Sequence, residues 1–538
     1  MEKAASKGRS FVKQAAILAM AGIIVRFFGF LYRPALTALL GDRGNAIYSA
    51  GYQVYNFLLI LSSAGLPPAI GRIVSERLAL KQYENAHRVF KVALVFSSIM
   101  GAVCMLVLFF GAGFIAEHIC KIPDAYYTLV SLAPTVLIVA VMSSFRGYFQ
   151  GMNTMVPTAV SQVIEQIFNA VFSVLLAWVL VPKSIALGAA GGTIGTGVGA
   201  LAGLGIVFIA YKSVKPTLMR RISRDRTEDE KIESHSYLLK LIVSTALPII
   251  LGTAVYSITN LIDLSMVMDR LLSIGTITAE RAEELYGQLQ GKYVLLSTLP
   301  VALSTAIATA AIPNIAASVA TRDKEASDRK ISLAIRMSMI VSIPSAVGMG
   351  ILADQIILMI FPTAPEGGSL VRIGAISIVF LALSQIVTGT LQGIGDVKSP
   401  AINAVFGAIV KIILNYLLIG IPALNINGAV IATIGCYVVA SLLNLRKLIL
   451  LTKVRLDYTD IIVKPFIASL IMGVGCFASY KLMFMILHRN AIATLFSIAI
   501  SMAIYALAMI FIKGVRREDC SALPLGSKLE RLFDILGY

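Results

Sequence analysis

Charge is scarce in this chain. Of its 538 residues only 14% are Asp, Glu, Lys or Arg, 57% are hydrophobic, and the formal net charge is +17. Mean hydropathy is +0.84. That balance excludes an ordinary soluble domain and indicates a polytopic membrane protein. Cysteine is scarce too. The five (Cys104, Cys120, Cys436, Cys476 and Cys520) are scattered without metal or redox spacing, and the four histidines do not cluster. Catalytic signatures are missing as well. There is no Gly-rich phosphate loop with Lys-Ser/Thr, no HExxH, and no Asp-rich loop of the kind lipid-phosphate transferases use. The polar stretches are too short for an ATPase domain. An enzyme is therefore not expected, nor a metal or organic cofactor. Transport would draw on a coupling ion (Na+ or H+) or on the membrane potential.

What is present is a succession of apolar segments. A window of about nineteen residues finds about fourteen candidate helices. The first six cover 11–40, 45–74, 88–116, 125–149, 154–181 and 185–212. The next six cover 237–268, 287–320, 328–361, 368–394, 400–421 and 426–451, and the last two 459–487 and 490–513. The excess of Lys and Arg does not point to nucleic acid, because it sits in alternate short loops. Lys3 to Lys13, Arg77 to Lys91, Lys215 to Lys231, Arg322 to Lys330, Arg446 to Arg455, and Arg516 with Arg517 fall on one side. The positive-inside rule then predicts a multi-pass plasma-membrane protein with both termini cytoplasmic. The opening resembles a signal peptide, but its apolar pattern continues to Leu40, so a retained first helix is expected.

The longest polar run between helices, Lys212 to Ser236, divides the chain. The predicted organisation is an N-terminal lobe at 1–212, a cytosolic linker at 213–236, a C-terminal lobe at 237–452, and a terminal helix pair with a cytosolic tail at 453–538. Internal repetition supports it. Gly188-Ala189 and Thr193-Ile194-Gly195 recur about 240 residues later as Gly428-Ala429 and Thr433-Ile434-Gly435. Gln150-Gly151 with Pro157 recurs as Gln392-Gly393 with Pro400, and Pro68-Ala69-Ile70 as Pro313-Asn314-Ile315. The fold class is thus all-α, two pseudo-symmetric six-helix lobes and a C-terminal pair, with a substrate site near the midplane. On the sixth helix Gly191, Gly195, Gly199 and Gly203 form a small-residue ladder that admits close packing.

Ionisable residues inside apolar segments mark candidate sites. Arg26 and Arg33 lie in the first helix, Arg146 ends the fourth, Glu165 is in the fifth, Asp263 in the seventh and Lys411 in the eleventh. Glu165 precedes Asn169 by one helical turn, as Lys411 precedes Asn415, so each pair shares a face. Arg33 aligns with Asp263 at an offset of about 230. Two roles stand side by side: gating or ion coupling, or Arg–Glu and Asp–Lys pairs that only hold helices together. Two arginines on one helix suit a phosphate-bearing cargo, since guanidinium binds phosphate oxygens bidentately. A pump for cationic drugs would favour carboxylates. Pro67, Pro68, Pro248 and Pro313 are candidate hinges, and static kinks equally.

Four stretches carry a family resemblance: RFFGFLYRPALTALLGDRGNAIYSAGYQVYN (26–56), AGLPPAIGRIVSER (64–77), RGYFQGMNTMVPTAVSQVIEQ (146–166) and LQGIGDVKSP (391–400). They resemble the polysaccharide-biosynthesis flippases of the SpoVB/YtgP type. These are relatives of the MurJ lipid II flippases within the multidrug/oligosaccharidyl-lipid/polysaccharide exporter superfamily. The resemblance implies two lobes, alternating access, and export of an undecaprenyl-diphosphate-linked sugar, lipid II in the MurJ group. The setting implied is the bacterial plasma membrane, in vegetative wall growth and cell shape or in sporulation. Arg26-Phe27-Phe28-Gly29-Phe30 matches the family's Arg-x-x-Gly-Phe, while Arg33 comes one residue later than in the MurJ pattern. The acid expected early in the second helix is replaced near Ala46, and the arginine expected near Leu59 or Ile60 is absent. By the same resemblance the last two helices line a groove for the lipid tail.

The expected function is therefore export of a lipid-linked cell-wall precursor. Arg26, Arg33 and Arg146 would bind the substrate, and Glu165, Asp263, Lys411, Asn169 and Asn415 would serve gating or ion coupling. The expected partners are a lipid-linked oligosaccharide and membrane lipids, with no nucleic acid; a monomer suffices to enclose a cavity. The alternatives are a cation-coupled multidrug exporter and a membrane-embedded glycosyltransferase or polymerase. The latter needs acids on an outer loop, and only 269–286, with Asp269, Glu280, Glu283 and Glu284, provides them.

Overall fold

The computed structural model describes residues 2–224, 232–320 and 323–514, and all regular elements among them are helical. The chain divides into two compact units, Met1–Leu272 with Thr278–Gly287, and Ser273–Ile277 with Gln288–Tyr538. The first unit contains α1 (Glu2–Leu59), α2 (Leu66–Ala79), α3 (Tyr83–Phe114), α4 (Tyr126–Gly151), α5 (Val156–Leu180), α6 (Ile185–Arg224), α7 (His235–Leu272) and nearly all of α8 (Ala279–Gln288).

α1 is two helices joined at Gly41. A straight helix of its 58 residues would run about 87 Å, against about 30 Å of hydrocarbon. At Gly41 the backbone takes φ +65° and ψ −173°, which a glycine adopts without steric penalty. The two arms then lie side by side. The Tyr32 and Tyr48 hydroxyls are 3.4 Å apart, and Asn45 Nδ2 donates to Thr37 Oγ1 at 2.9 Å. The second arm ends in a π-turn, Ile60–Ala64, where the Ser63 hydroxyl donates to the Leu59 carbonyl at 2.6 Å. Pro67 and Pro68 follow in the first turn of α2, where a missing N–H breaks no helical bond.

The closest helix pair in this unit is α5 with α6, and the glycine ladder explains it. A Cβ on Gly195 would stand 2.2 Å from the Ser173 nitrogen, and one on Gly199 would stand 2.5 Å from the Glu165 carbonyl oxygen. Only hydrogen fits there, so the two backbones touch. α6 continues to Arg224, past residue 212 where the apolar pattern stops, because a helix can outlast the membrane that sets its hydropathy. The expected linker at 213–236 is correspondingly shorter, and residues 225–231 of it lie outside the described residues. Its far end is pinned. Arg77 donates to both Glu233 carboxylate oxygens at 2.9 and 3.3 Å, and the Glu233 N–H donates to Asn85 Oδ1 at 3.0 Å.

The repeat in the sequence opens the second half with the seventh helix. By contact, α7 is counted in the first unit: a Cβ on Gly65 would stand 2.5 Å from the Ala246 carbonyl oxygen, so α7 lies directly against the break before α2. The second unit contains α9 (Leu295–Ala320), α10 (Lys324–Ile351), α11 (Ala353–Ile360), α12 (Gly368–Gly374), α13 (Ser377–Gly393), α14 (Lys398–Ile419), α15 (Ile426–Thr452), α16 (Lys464–Leu487) and α17 (Asn490–Phe511). Here α14 and α15 pack as α5 and α6 do. A Cβ on Gly428 would stand 2.7 Å from the Leu418 carbonyl carbon, and one on Gly407 would stand 2.8 Å from the Cys436 carbonyl oxygen. α16 and α17 form the terminal pair; the expected cytosolic tail beyond residue 514 lies outside the described residues.

Among the described residues, 11 helices are long and apolar enough to cross a membrane, or 12 with the bent pair α12–α13 counted as one span. The fourteen expected from hydropathy are not all separated. One place holds part of the difference: Met20–Ala79 counts once although Gly41 folds it in two.

Candidate functional site

The site in the first unit is built on the first arm of α1. Arg26, Gly29 and Arg33 recur at three- and four-residue spacing and so share one face. A Cβ on Gly29 would lie 3.6 Å from Gln166 Nε2, which sets this face beside α5 next to Glu165. Arg26 is exposed. Arg33 is half-buried, and its guanidinium carbon lies 5.8, 5.1 and 6.0 Å from the ring centroids of Tyr32, Tyr48 and Tyr52. Three rings, two of them from the returning arm, thus hold the cation over their electron-rich faces. The fold-back at Gly41 makes this cage possible.

Arg146 and Glu165 form a close ion pair. Arg146 Nη2 lies 2.6 Å from Glu165 Oε2, with the side chains 14% and 26% exposed. Arg146 Nε also donates to the Ser161 hydroxyl at 3.0 Å, and that hydroxyl donates to the Thr158 carbonyl at 2.8 Å. An Arg–Glu pair is therefore present, but its arginine is Arg146 from α4 rather than one from α1. Among the described residues no carboxylate lies within ion-pair distance of Arg26 or Arg33. The first unit thus presents two guanidinium groups beside a neutralised pair.

Asn169 is buried one turn beyond Glu165. Its Oδ1 accepts from the Ser173 hydroxyl at 2.8 Å and the Thr196 hydroxyl at 3.3 Å, and Ser173 Oγ also donates to the Gly192 carbonyl at 2.7 Å. Asn169 therefore ties α5 to α6. Asp263 is buried on α7 in the first unit; Lys411 is half-buried and Asn415 buried on α14 in the second. The structure thus brings Arg26, Arg33, Arg146, Glu165 and Asn169 to neighbouring faces of one unit. Pro248 lies within α7, exposed and two residues past the Ala246 contact with Gly65, and Pro313 lies within the range of α9.

The acids of the 269–286 segment are all engaged. Arg43 reaches Glu283 at 2.7 Å, Glu280 at 3.2 Å and Asp124 at 3.2 Å. Arg281 pairs with Glu284 at 2.7 Å, and Lys121 with Asp269 at 3.5 Å. Carboxylates committed to arginine and lysine are poor general bases for a glycosyl transfer. They instead clamp α8 to the turn of α1.

Two features escaped the sequence reading. The tyrosine cage had a signal: Tyr48, Tyr52 and Tyr55 recur at four- and three-residue spacing, one helical face of aromatic hydroxyls. The Arg43 clamp had less, since its partners lie far along the chain.

Comparison with known proteins follows the same lines. The family model for polysaccharide biosynthesis proteins matches residues 11–319, and that for MatE matches residues 295–417. Stage V sporulation protein B of Bacillus subtilis (strain 168) is 24% identical, over 97% of this chain and 99% of the relative. Lipid II flippase MurJ of the same organism is 25% identical, over 79% of this chain and 80% of the relative. Among solved structures, lipid II flippase MurJ in an inward closed conformation aligns with a TM-score of 0.65 and 17% identity, covering 93% of this chain and 99% of that one. At that identity the match speaks for the fold.

Proposed function

The chain belongs to the polysaccharide biosynthesis protein family, and from that premise we propose that it is an alternating-access flippase for an undecaprenyl-diphosphate-linked cell-wall precursor, lipid II foremost. The observation that carries this reading is the charge left over on α1. With Glu165 paired to Arg146, Arg26 and Arg33 remain as cations without a carboxylate among the described residues, in a chain that turns few charges into its apolar helices. A diphosphate supplies the missing anion. The Tyr32, Tyr48 and Tyr52 rings keep Arg33 positioned without neutralising it, so its donors stay available to phosphate oxygens. Their hydroxyls offer further donors.

In this reading Arg26 and Arg33 bind the diphosphate, and Arg146 acts through Glu165 as a positioning residue. Asn169 fixes the α5–α6 pair that carries Glu165. Asp263, Lys411 and Asn415 are assigned to gating or ion coupling, with Na+ or H+ or the membrane potential as the driving force. Pro67, Pro68, Pro248 and Pro313 mark the hinges. The Lys- and Arg-rich loops and both termini face the cytoplasm of a bacterial cell. The test is Arg26→Ala, checked for expression and followed by precursor export. Loss of export supports the assignment; undiminished export removes Arg26 from the mechanism.

The match of residues 295–417 to MatE favours a second reading, a cation-coupled drug exporter. It fits less well, because the aromatic cage that could take a cationic drug already holds Arg33. Drug-efflux rescue without a cell-wall phenotype would select it.

A further inference from the structure

A cavity of about 620 Å³ lies in the second unit, between the start of α10 and the segment that joins α15 to α16. Lys324, Arg329, Lys330, Arg336, Lys453 and Arg455 line it. Two basic stretches far apart in sequence thus converge on one concavity. Three carboxylates, Asp328, Asp457 and Asp460, share the lining, which leaves an excess of three positive charges. The positive-inside rule asks only that cations sit near the interface, and exposed ones satisfy it. This cluster goes deeper. Arg336 lies two helical turns beyond Arg329 on the same face of α10, with its side chain 8% exposed. It is held at 3.8 Å from the equally buried Asp460, which Lys464 engages at 2.6 Å. The floor of the cavity is therefore an arginine held by Asp460; of the cations around it Lys324, Arg329, Lys453 and Arg455 are exposed, and Lys330 is half-buried and donates to the Ser318 hydroxyl at 2.6 Å.

Like charges gathered in a concavity repel, and an anion relieves the repulsion. Guanidinium at the floor with lysines at the mouth matches phosphate, which arginine binds through two parallel hydrogen bonds. Exposed apolar residues neighbour the lining residues Asp457, Asp460 and Ile461 along the chain. Tyr458, Ile462 and Val463, interleaved with Asp457 and Asp460, are 51%, 46% and 46% exposed. A phosphate entering beside such residues can keep hydrocarbon chains on the outer surface of the helices.

We propose that this cavity is a phosphate-binding site separate from the α1 arginines, filled by the headgroup of an anionic membrane phospholipid or by a free phosphate. The experiment uses the full chain purified in an uncharged detergent. Bound species are counted by native mass spectrometry with dioctanoyl phosphatidylglycerol, dioctanoyl phosphatidylcholine or inorganic phosphate added. The comparison protein carries Lys453→Gln and Arg455→Gln, two exposed positions whose replacement leaves the packed helices untouched. Phosphatidylglycerol binding that exceeds phosphatidylcholine binding and weakens about tenfold in the variant establishes the site with a lipid source. Binding of inorganic phosphate, weakened alike by the variant, establishes it with a soluble source. Binding of all three probes unchanged between the two proteins, or no preference for the anionic lipid together with no phosphate bound, overturns the proposal.

Discussion

Replacing Arg146 or Glu165 isolates how much the first unit depends on its internal ion pair. The contact is 2.6 Å long, and Arg146 also donates to Ser161 at 3.0 Å. Removing one partner of a fully buried pair costs about 3–5 kcal/mol, because the other charge is stranded. Here Glu165 is 26% exposed, so water recovers part of that, and Arg146→Met should cost about 2–3 kcal/mol. Glu165→Leu should cost a similar amount. The double variant strands nothing and should be little worse than either single one, a coupling of about 2 kcal/mol. Denaturant titration of the four proteins in one detergent measures it. Coupling below about 0.5 kcal/mol would refute the reasoning and free Glu165 to act as a proton or cation carrier.

Other expectations follow from single contacts. Gly195→Leu forces a side chain into the Ser173 backbone, only 2.2 Å from the position of a Cβ, and should abolish the monodisperse peak in size exclusion. Arg43→Ala leaves Glu283, 7% exposed, without its partner and should lower stability by about 3 kcal/mol, with Glu283→Gln added to it recovering part of the loss in the same titration. Asp396, two residues before α14, accepts from the Ser399 N–H at 3.0 Å and from its hydroxyl in the first turn of that helix, and these bonds hold its carboxyl below the usual range. Asp396→Ala should cost about 1 kcal/mol. Because the folded value is the lower one, that contribution is complete above the unfolded carboxylate range and fades as pH falls through the folded value; a pH series of unfolding midpoints reads it.

Much of this architecture was legible in the sequence. Gly41-Asp42-Arg43-Gly44 breaks the apolar pattern where α1 folds back, and the Gly188/Gly428 repeat marks the two glycine-rich helices, α6 and α15, that pack tightly in their own units. The partner of Glu165 was not legible. Spacing along a helix fixes which face a charge occupies, but Arg146 and Glu165 meet only because the turn between α4 and α5 brings the end of one helix against the start of the next. The Arg33 cage needs two arms brought together by one glycine, and the Arg43 clamp joins residues more than two hundred positions apart in the chain. Hydropathy measures the membrane rather than the helix, which is why α6 outruns its apolar window.

The central claim is that the α1 arginines move a diphosphate-linked lipid. The most direct measurement expresses this chain in a bacterium depleted of its own lipid II flippase and follows viability and precursor export, beside Arg26→Ala and Arg33→Ala variants verified in the membrane. Rescue by the unaltered chain, lost in both variants, is the result the account predicts. Failure of the unaltered chain despite correct insertion, or equal rescue by the variants, would contradict it.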